Sequence, residues 1–441
     1  MRKFKIAIIG GYGGMGKFFA ELFRNEGNDV TITGPSAEKG RRIAEELGVL
    51  YERDNSRAAK NVDIVMISVP IGETIKVIKE VAPYVKKGSL LIDVTSIKEK
   101  PCEAMEKYSN KEVEIIGTHP VFSHRVGTLE GQVFVLVPVR GEKWLKWLKK
   151  FLKDHKVRIY ESTAEEHDRI MAVVQGLTHF TYISIGKTLQ ELDFNIKESR
   201  KFSSPIYELM LDMVGRIIGQ NPRLYAEIQM ENPRVSDVHR EFLSVAGKLN
   251  NVILNKDENT FIEIMKDAAR HFDDLERAMG RSDKAISSLI HELEQLRDSI
   301  GKELCFRHIY SGRLHLGIVK AINPERVVID DNGKVYELKL SNIQIVDDRE
   351  RIKYKKERFG ATKRDFSVIL DREVDENLVK EILENFDENI TGIEIKDIYS
   401  GPQIEEGRKS VCFSIEIISL SVRKTEGKII KFLKGIGGKL R

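Results

Sequence analysis

The sequence predicts an α/β domain on a mainly parallel sheet, then an all-helical domain, then a small antiparallel β unit and a closing α+β module. Three observations carry this reading. From Phe4 to about Glu161, apolar bursts of strand length (FKIAIIG, DVTIT, DIVMISVP, SLLIDV, VEIIG, QVFVLVP, VRIYE) alternate with helix-like stretches, the mark of βαβ units around a buried sheet. From Thr163 to about Lys302, apolar residues recur at helical spacing, as in FIEIMKDAARHFDDLERAM, with few β-branched runs. Beyond Lys302 short strands return (LHLGIVKAI, RVVIDDNGKVYELKL, IQIVD), separated by turn signals such as Asp331-Asn332-Gly333. The expected divisions are 1–162, 163–302, 303–348, a solvated basic linker at 349–363, and 364–441. From Arg349 to Arg364 the chain holds eight basic and two acidic residues, and no internal repeat or low-complexity tract interrupts the order.

A chain of 441 residues exceeds what one hydrophobic core supports, so several domains are expected. The 72 basic and 68 acidic residues leave a formal charge of +4, which excludes a chain-wide field for nucleic acid or membrane. Cys102, Cys305 and Cys412 lie far apart with no CxxC pair, so neither a disulfide framework nor a zinc site is expected, and no metal is called for. The start MRKFKIAIIGG lacks the long apolar run of a signal peptide, and no stretch approaches the roughly 20 apolar residues of a membrane span. These features predict a cytoplasmic protein.

The first strand runs into Gly10-Gly11-Tyr12-Gly13-Gly14-Met15-Gly16 and then the helical KFFAELFRNEG, so Gly11, Gly13 and Gly16 match GxGxxG in the strand–turn–helix setting the motif requires. In that setting it predicts a Rossmann-type dinucleotide site: Gly11 for the tight turn, Gly13 for close approach of a pyrophosphate, Gly16 for helix–strand packing, with Gly14 and Met15 opening the helix that faces the phosphates. NAD sites usually carry Asp or Glu at the end of the second strand. Here DVTITGPSAEKGRR offers Thr33, Gly34 and Ser36, then Lys39, Arg41 and Arg42, a set suited to a 2′-phosphate, so NADP is favoured over NAD.

Ligands of open α/β sheets bind beyond the carboxyl ends of the strands. Val69 and Pro70 stand at one such end, and Ser96 and Lys98 follow another in DVTSIK; His119, held by Pro120 in GTHPVFSH, follows a third. In the helical domain His179 lies in VVQGLTHF. Arg216 is flanked by Met213, Val214, Ile217 and Ile218, where burial without an anionic partner is costly, so it is expected to pair with a distant carboxylate or to wait for an anionic substrate.

Taken in order, GGYGGMG, SVPIGETI, DVTSIK, GTHPVFS, EHDRIMAVVQGLTHF and SSPIYELMLDMVGRIIGQNPRLYAEIQ resemble the prephenate dehydrogenase family over roughly Lys5 to Ala278, including the dehydrogenase half of bifunctional bacterial mutase-dehydrogenases. The resemblance implies NAD(P)-dependent oxidative decarboxylation of prephenate to 4-hydroxyphenylpyruvate on the route to tyrosine, in a dimer formed by the helical domain. It implies that His119 takes the ring-hydroxyl proton and that Ser96 orients this hydroxyl, with Lys98 in the same motif. It also implies that Arg216 binds a substrate carboxylate, that His179 lies near the substrate side chain, and that Tyr225 lines the pocket. The chain departs from the family after the His-Pro pair, where it reads Phe122-Ser123-His124-Arg125; His124 and Arg125 are expected to affect side-chain specificity, which leaves prephenate and arogenate both open.

The tail resembles something else. RDFSVILDREV, then IKDIYSGPQIEEGRKSVCFSIEI and the ending GGKLR look like the ferredoxin-like anticodon-binding module at the end of the bacterial phenylalanyl-tRNA synthetase β chain. That resemblance implies a βαββαβ sandwich. Acidic residues crowd its first half, among them Asp365, Asp371, Glu373, Asp375 and Glu376, so nucleic acid is not the expected partner; a tyrosine or phenylalanine effector, or a role in forming a higher homo-oligomer, is. A tRNA-binding or regulatory protein on a relict dehydrogenase is the rival reading. SSLIHELEQLRDSIGKEL faintly resembles the first helix of a chorismate mutase, but β-patterned residues follow it, so no mutase activity is expected.

Overall fold

A computed structural model describes residues 3–323, 325–419 and 421–441. Met1 and Arg2, part of the start read above as leader-free, lie outside the described residues. The chain divides into two compact units, residues 1–280 and 281–441.

The first unit opens with β1 (Lys5–Ile9), α1 (Gly14–Asn25), β2 (Asp29–Ile32), α2 (Ala37–Leu47), β3 (Leu50–Tyr51), α3 (Asn55–Ala59), β4 (Ile64–Ile67) and α4 (Ile71–Val81). It continues with β5 (Leu90–Asp93), α5 (Glu99–Tyr108), β6 (Glu114–Pro120), β7 (Val133–Arg140), α6 (Lys143–Asp154) and β8 (Arg158–Glu161). The strands form one sheet in the order β3-β2-β1-β4-β5-β6-β7-β8, parallel throughout except where β7 runs against β6. Side chains alternate across a strand, so KIAII feeds two cores. Ile6 and Ile8 join Phe19, Phe23 and Trp144 on one face, while Ala7 and Ile9 join Ile67, Ile78 and Met105 on the other. Burial on both faces explains why the strands read as continuous apolar runs.

The helical domain holds α7 (Ala164–Met171), a π-helical turn (Ala172–Leu177), α8 (Thr178–Glu191), α9 (Ile196–Ser199), α10 (Pro205–Ile218), α11 (Pro222–Glu231), α12 (Val235–Leu254), α13 (Glu258–His271) and the first residues of α14 (Leu275–Asp298), the rest of which belongs to the second unit. Its helices keep wide apolar areas at the surface of the single chain: Phe202, Ile206, Leu254 and Met279 are all exposed. Lys100–Glu231 (2.9 Å) and Arg234–Glu99 (3.1 Å) ion pairs and a small apolar cluster of Ile71, Ile97 and Ile228 join this domain to the sheet domain.

In the second unit, β9 (Glu303–His308), β10 (Leu314–Ile322), β11 (Arg326–Asp331), β12 (Lys334–Lys339) and β13 (Ile343–Ile345) form an antiparallel sheet in the order β12-β11-β10-β9-β13. Leu296, expected in the helical domain, packs in this sheet's core with Phe306 and Val319. The stretch expected as a solvated linker is instead α15 (Asp348–Phe359). Its Lys355 is fully buried and bonds Glu303 (2.5 Å) of the β unit and Asn389 (2.7 Å) of the next module. That module runs β14 (Thr362–Asp371), α16 (Glu376–Glu384), β15 (Ile390–Tyr399), β16 (Arg408–Ile417), α17 (Val422–Gly435) and β17 (Lys439–Leu440), with strand order β15-β16-β14-β17. This is the expected ferredoxin-like βαββαβ sandwich.

Candidate active site

The glycine loop turns where the sequence places it, but the demand for glycine falls differently along it. Gly10, not Gly11, takes the positive φ (+84°), and a Cβ there would lie 2.3 Å from Ser68 O. Gly11 has no room because Ile32 of β2 is too near (2.5 Å), and Gly16 because Gly10 O is (2.5 Å). Gly13 is the exception: a Cβ would meet only Gly10 O, at an ordinary 3.4 Å. No described residue requires glycine there, which fits close approach by a ligand phosphate at the N-terminus of α1, where Gly14 and Met15 open the helix. Val69 lies against Gly10, and Pro70 caps α4.

Around the end of β2, the Tyr12 ring fills the space a Cβ on Gly34 would need, and the Tyr12 hydroxyl accepts from Ser36 N–H (2.9 Å). Ser36 is the N-cap of α2, its Oγ accepting from Lys39 N–H (3.3 Å). The Lys39 ammonium sits 5.0 Å over the Tyr12 ring. Arg41 and Arg42 are exposed, and no carboxylate among the described residues pairs with either. His124 does not stand where the specificity reading put it. Phe122 packs on Phe18 (5.9 Å) and turns the loop back over α1, so that a Cβ added to Gly14 would lie 2.6 Å from His124 Nδ1. His124 therefore belongs to the dinucleotide end.

The carboxyl ends of β5 and β6 hold a buried polar network. Asp93, the last residue of β5, accepts from the Lys98 ammonium and the Thr95 hydroxyl, and from Thr95 N–H (3.1 Å). Lys98, expected to face substrate, is fully buried, with its ammonium held by Asp93 and Thr95 Oγ1 (3.2 Å). A buried ammonium needs a carboxylate partner, and Asp93 supplies it, so Lys98 braces the turn that carries the half-buried Ser96.

His119, near the end of β6, is only 2% exposed. Its Nδ1 lies 2.9 Å from His167 Nε2, and His167 Nδ1 lies 2.7 Å from Asp168 Oδ1. Asp168 in turn accepts from the backbone N–H groups of Lys98 (2.7 Å) and Glu99 (2.9 Å), capping α5, while Asn232 Nδ2 donates to its carbonyl (2.8 Å). Asp168 can only accept, so the series assigns protons: His167 donates from Nδ1, His119 donates from Nδ1 to His167 Nε2, and His119 Nε2 keeps its lone pair. Burial pushes the His119 imidazole well below its ordinary value, and the His167 and Lys98 charges push the same way. The result is a neutral, oriented imidazole with one nitrogen free to accept.

On the helical side, the His179 and Tyr225 rings lie 4.5 Å apart. Burial pushes the Tyr225 hydroxyl up while the nearby Arg216 charge draws it down, and burial lowers His179. Arg216 is exposed rather than buried, because neighbouring Met213 and Ile218 of α10 are exposed too. Among the described residues no carboxylate pairs with its guanidinium. The Ile71, Ile97 and Ile228 cluster draws together the Val69–Pro70 turn, the Ser96–Lys98 turn and the Tyr225 helix.

Comparison with known proteins matches residues 19–161 to the prephenate dehydrogenase nucleotide-binding domain, 163–267 to the prephenate dehydrogenase dimerization domain, and 358–440 to the ferredoxin-fold anticodon binding domain. The chain is 43% identical over 442 residues, 99% of its own length and 98% of the relative's, to a Methanocaldococcus jannaschii protein named probable arogenate/prephenate dehydrogenase. The chain belongs to the prephenate dehydrogenase family. A further family relative, the T-protein of Haemophilus influenzae, is 29% identical over 291 residues, covering 66% of this chain and 73% of that one. A solved prephenate dehydrogenase from A. aeolicus, in complex with hydroxyphenyl propionate and NAD+, aligns with TM-score 0.49 and 22% identity over 61% of this chain and 97% of that chain. Family membership makes this an oxidoreductase with an NAD(P)-binding Rossmann domain and a helical dimerization domain. No helix among the described residues is long and apolar enough to cross a membrane.

His167, Asp168 and Asp93 were not singled out from the sequence. The available signal was the adjacent His-Asp pair in EHDRIM, which lies on the buried side of α7 beside Met171.

Proposed function

We propose that this chain oxidatively decarboxylates a cyclohexadienyl acid: prephenate to 4-hydroxyphenylpyruvate, or, by the same ring chemistry, arogenate to tyrosine. The observation that carries the reading is the buried series His119–His167–Asp168, which leaves one imidazole nitrogen free as an acceptor at the carboxyl edge of the sheet, next to a glycine loop suited to a dinucleotide. NADP or NAD, when bound, supplies the hydride acceptor. His119 Nε2 takes the ring-hydroxyl proton as the ring carbon becomes a carbonyl, and Ser96 orients that hydroxyl. The ring carboxylate then leaves as CO2, its electron pair aromatises the ring, and the ring oxygen regains the proton from His119. Arg216, with no carboxylate of its own, takes a substrate carboxylate beside His179 and Tyr225. Gly11, Gly13, Gly14, Met15, Gly16, Val69 and Pro70 hold the dinucleotide, and the unpaired Arg41, with Arg42 and Ser36, favours NADP.

For the tail we propose a regulatory or assembly role rather than RNA binding, with tyrosine or phenylalanine as the candidate effector. Several of its cations are paired within the module: Arg364 with Glu426, Lys396 with Asp365, Lys409 with Glu376 and Lys428 with Asp387. These pairs, with the acidic residues of its first half, weaken the field the module offers a phosphate backbone. The full chain mixed with prephenate or arogenate and each cofactor, followed at 340 nm, tests the activity. Reduction of cofactor with either substrate supports it, and none with both overturns it.

A further inference from the structure

Three buried polar atoms of the helical domain have no hydrogen-bond partner among the described residues: Gln175 Oε1, His179 Nδ1 and Gln229 Oε1. They belong to two facing turns. Gln175 and His179 are four residues apart, where the π-helical turn passes into α8, and Tyr225 and Gln229 are four apart on α11, so each pair lies one above the other on its helix. The His179 and Tyr225 rings meet at 4.5 Å, and Gln229 Nε2 donates to Gly176 O (3.0 Å). That bond also orients the Gln229 amide: with its NH2 on a carbonyl, its oxygen faces the other way as an acceptor.

Buried acceptors without donors are costly, and native cores contain few of them. Three on two facing turns, with Gln175 in a π-helical segment of the kind that recurs at functional sites, mark a recess built for donors. Burial keeps His179 neutral, so its Nδ1 can accept. Beside the recess stands Arg216, close enough to act on Tyr225 and without a carboxylate partner among the described residues. Acceptors next to a free cation complement a group carrying both an ammonium and a carboxylate.

The two candidate substrates differ at that group. Prephenate carries a keto oxygen, itself an acceptor, which would leave the amide oxygens unpaired; arogenate carries an ammonium with three N–H donors. We propose that Gln175, His179 and Gln229 receive the ammonium of an α-amino acid while Arg216 takes its carboxylate, so that arogenate is the preferred substrate. The proposal rests on the dehydrogenase reading above and deepens it.

Its test is the ratio of kcat/KM for arogenate over prephenate in the full chain, with the better cofactor. The ratio is expected to exceed ten, to fall at least tenfold in Gln175→Met, and to rise in Gln175→Glu, whose carboxylate attracts the ammonium more strongly. A ratio below one, or one that neither substitution moves, overturns the proposal; the latter is what a recess filled only by water would give. Because Gln229→Met also removes the bond to Gly176, it serves as a second variant, read only if its circular dichroism melt matches the wild type. A binding arm separates this from failure of the enzyme reading. By calorimetry L-tyrosine should bind at least tenfold tighter than 4-hydroxyphenylpyruvate, and Gln175→Met should abolish the difference. If neither substrate is turned over, the dehydrogenase reading falls and the calorimetry alone decides the recess: equal affinities overturn it.

Discussion

His119 and His167 lie 48 residues apart in the chain and 2.9 Å apart in space, ring nitrogen to ring nitrogen, with Asp168 fixing the far side of His167. The contact joins the carboxyl end of β6 in the sheet domain to the first helix of the helical domain. It makes the proposed base a property of both domains, and it sets what substitutions in the second of them should do.

Asp168→Asn removes the charge that stabilises a proton on the histidine pair and allows the His167 tautomer to reverse. We expect kcat to fall about 100-fold, the scale of a lost positioned base. Affinity for the product, measured by calorimetry, should change less than threefold. Loss of affinity without loss of turnover would make Asp168 only a cap for α5.

The His119 pKa is pushed down, so the free base persists below pH 6.5, and activity is lost only as pH falls further through the lowered value. The acid limb of log kcat/KM against pH should therefore have its midpoint below 6.5. The same shift predicts a stability effect of matching sign. The unfolded chain binds this proton more readily, so stability is full above pH 6.5 and declines below it. An acid limb centred above 6.5 would show that the base is not a desolvated imidazole.

Lys98→Met strands the Asp93 carboxylate in a site that water does not reach. Breaking one partner of a buried pair costs about 3–5 kcal/mol, measurable as a lower urea midpoint. The double substitution Lys98→Met, Asp93→Asn should recover part of that loss. No difference between single and double variants would contradict the pairing.

Replacing Arg41 and Arg42 together by Ala should weaken NADP binding at least tenfold in a fluorescence titration and leave NAD within threefold. Should the unaltered protein bind NAD more than tenfold tighter than NADP, the reading of Lys39, Arg41 and Arg42 is wrong.

Much of the sheet domain was legible because its strands are buried on both faces and its first turn is forced into glycine by Ser68 and Ile32. His119 was legible from its place at a strand end. His167 and Asp168 were not, because what brings them to the candidate site is a contact across 48 residues, and a sequence read locally sees only a polar pair on a helix. Lys98 and Arg216 depart in opposite senses from the burial their residue types and neighbours suggest. Lysine usually stays in water, yet here Asp93 takes it inside; an Arg among apolar residues suggests burial, yet that side of α10 is exposed on the single chain. The basic helix α15 escaped because it has no apolar stripe, and only Lys355 is buried along it.

The central claim is that His119 Nε2 removes the ring-hydroxyl proton. Its most direct test is steady-state turnover by His119→Asn, set beside Arg216→Ala and the unaltered chain, with substrate affinity measured separately. We expect His119→Asn to lower kcat about 100-fold or more with substrate affinity retained, because the base is lost while the pocket remains, and Arg216→Ala to raise mainly KM. Undiminished kcat in His119→Asn would contradict the account and leave His119 a buried structural histidine.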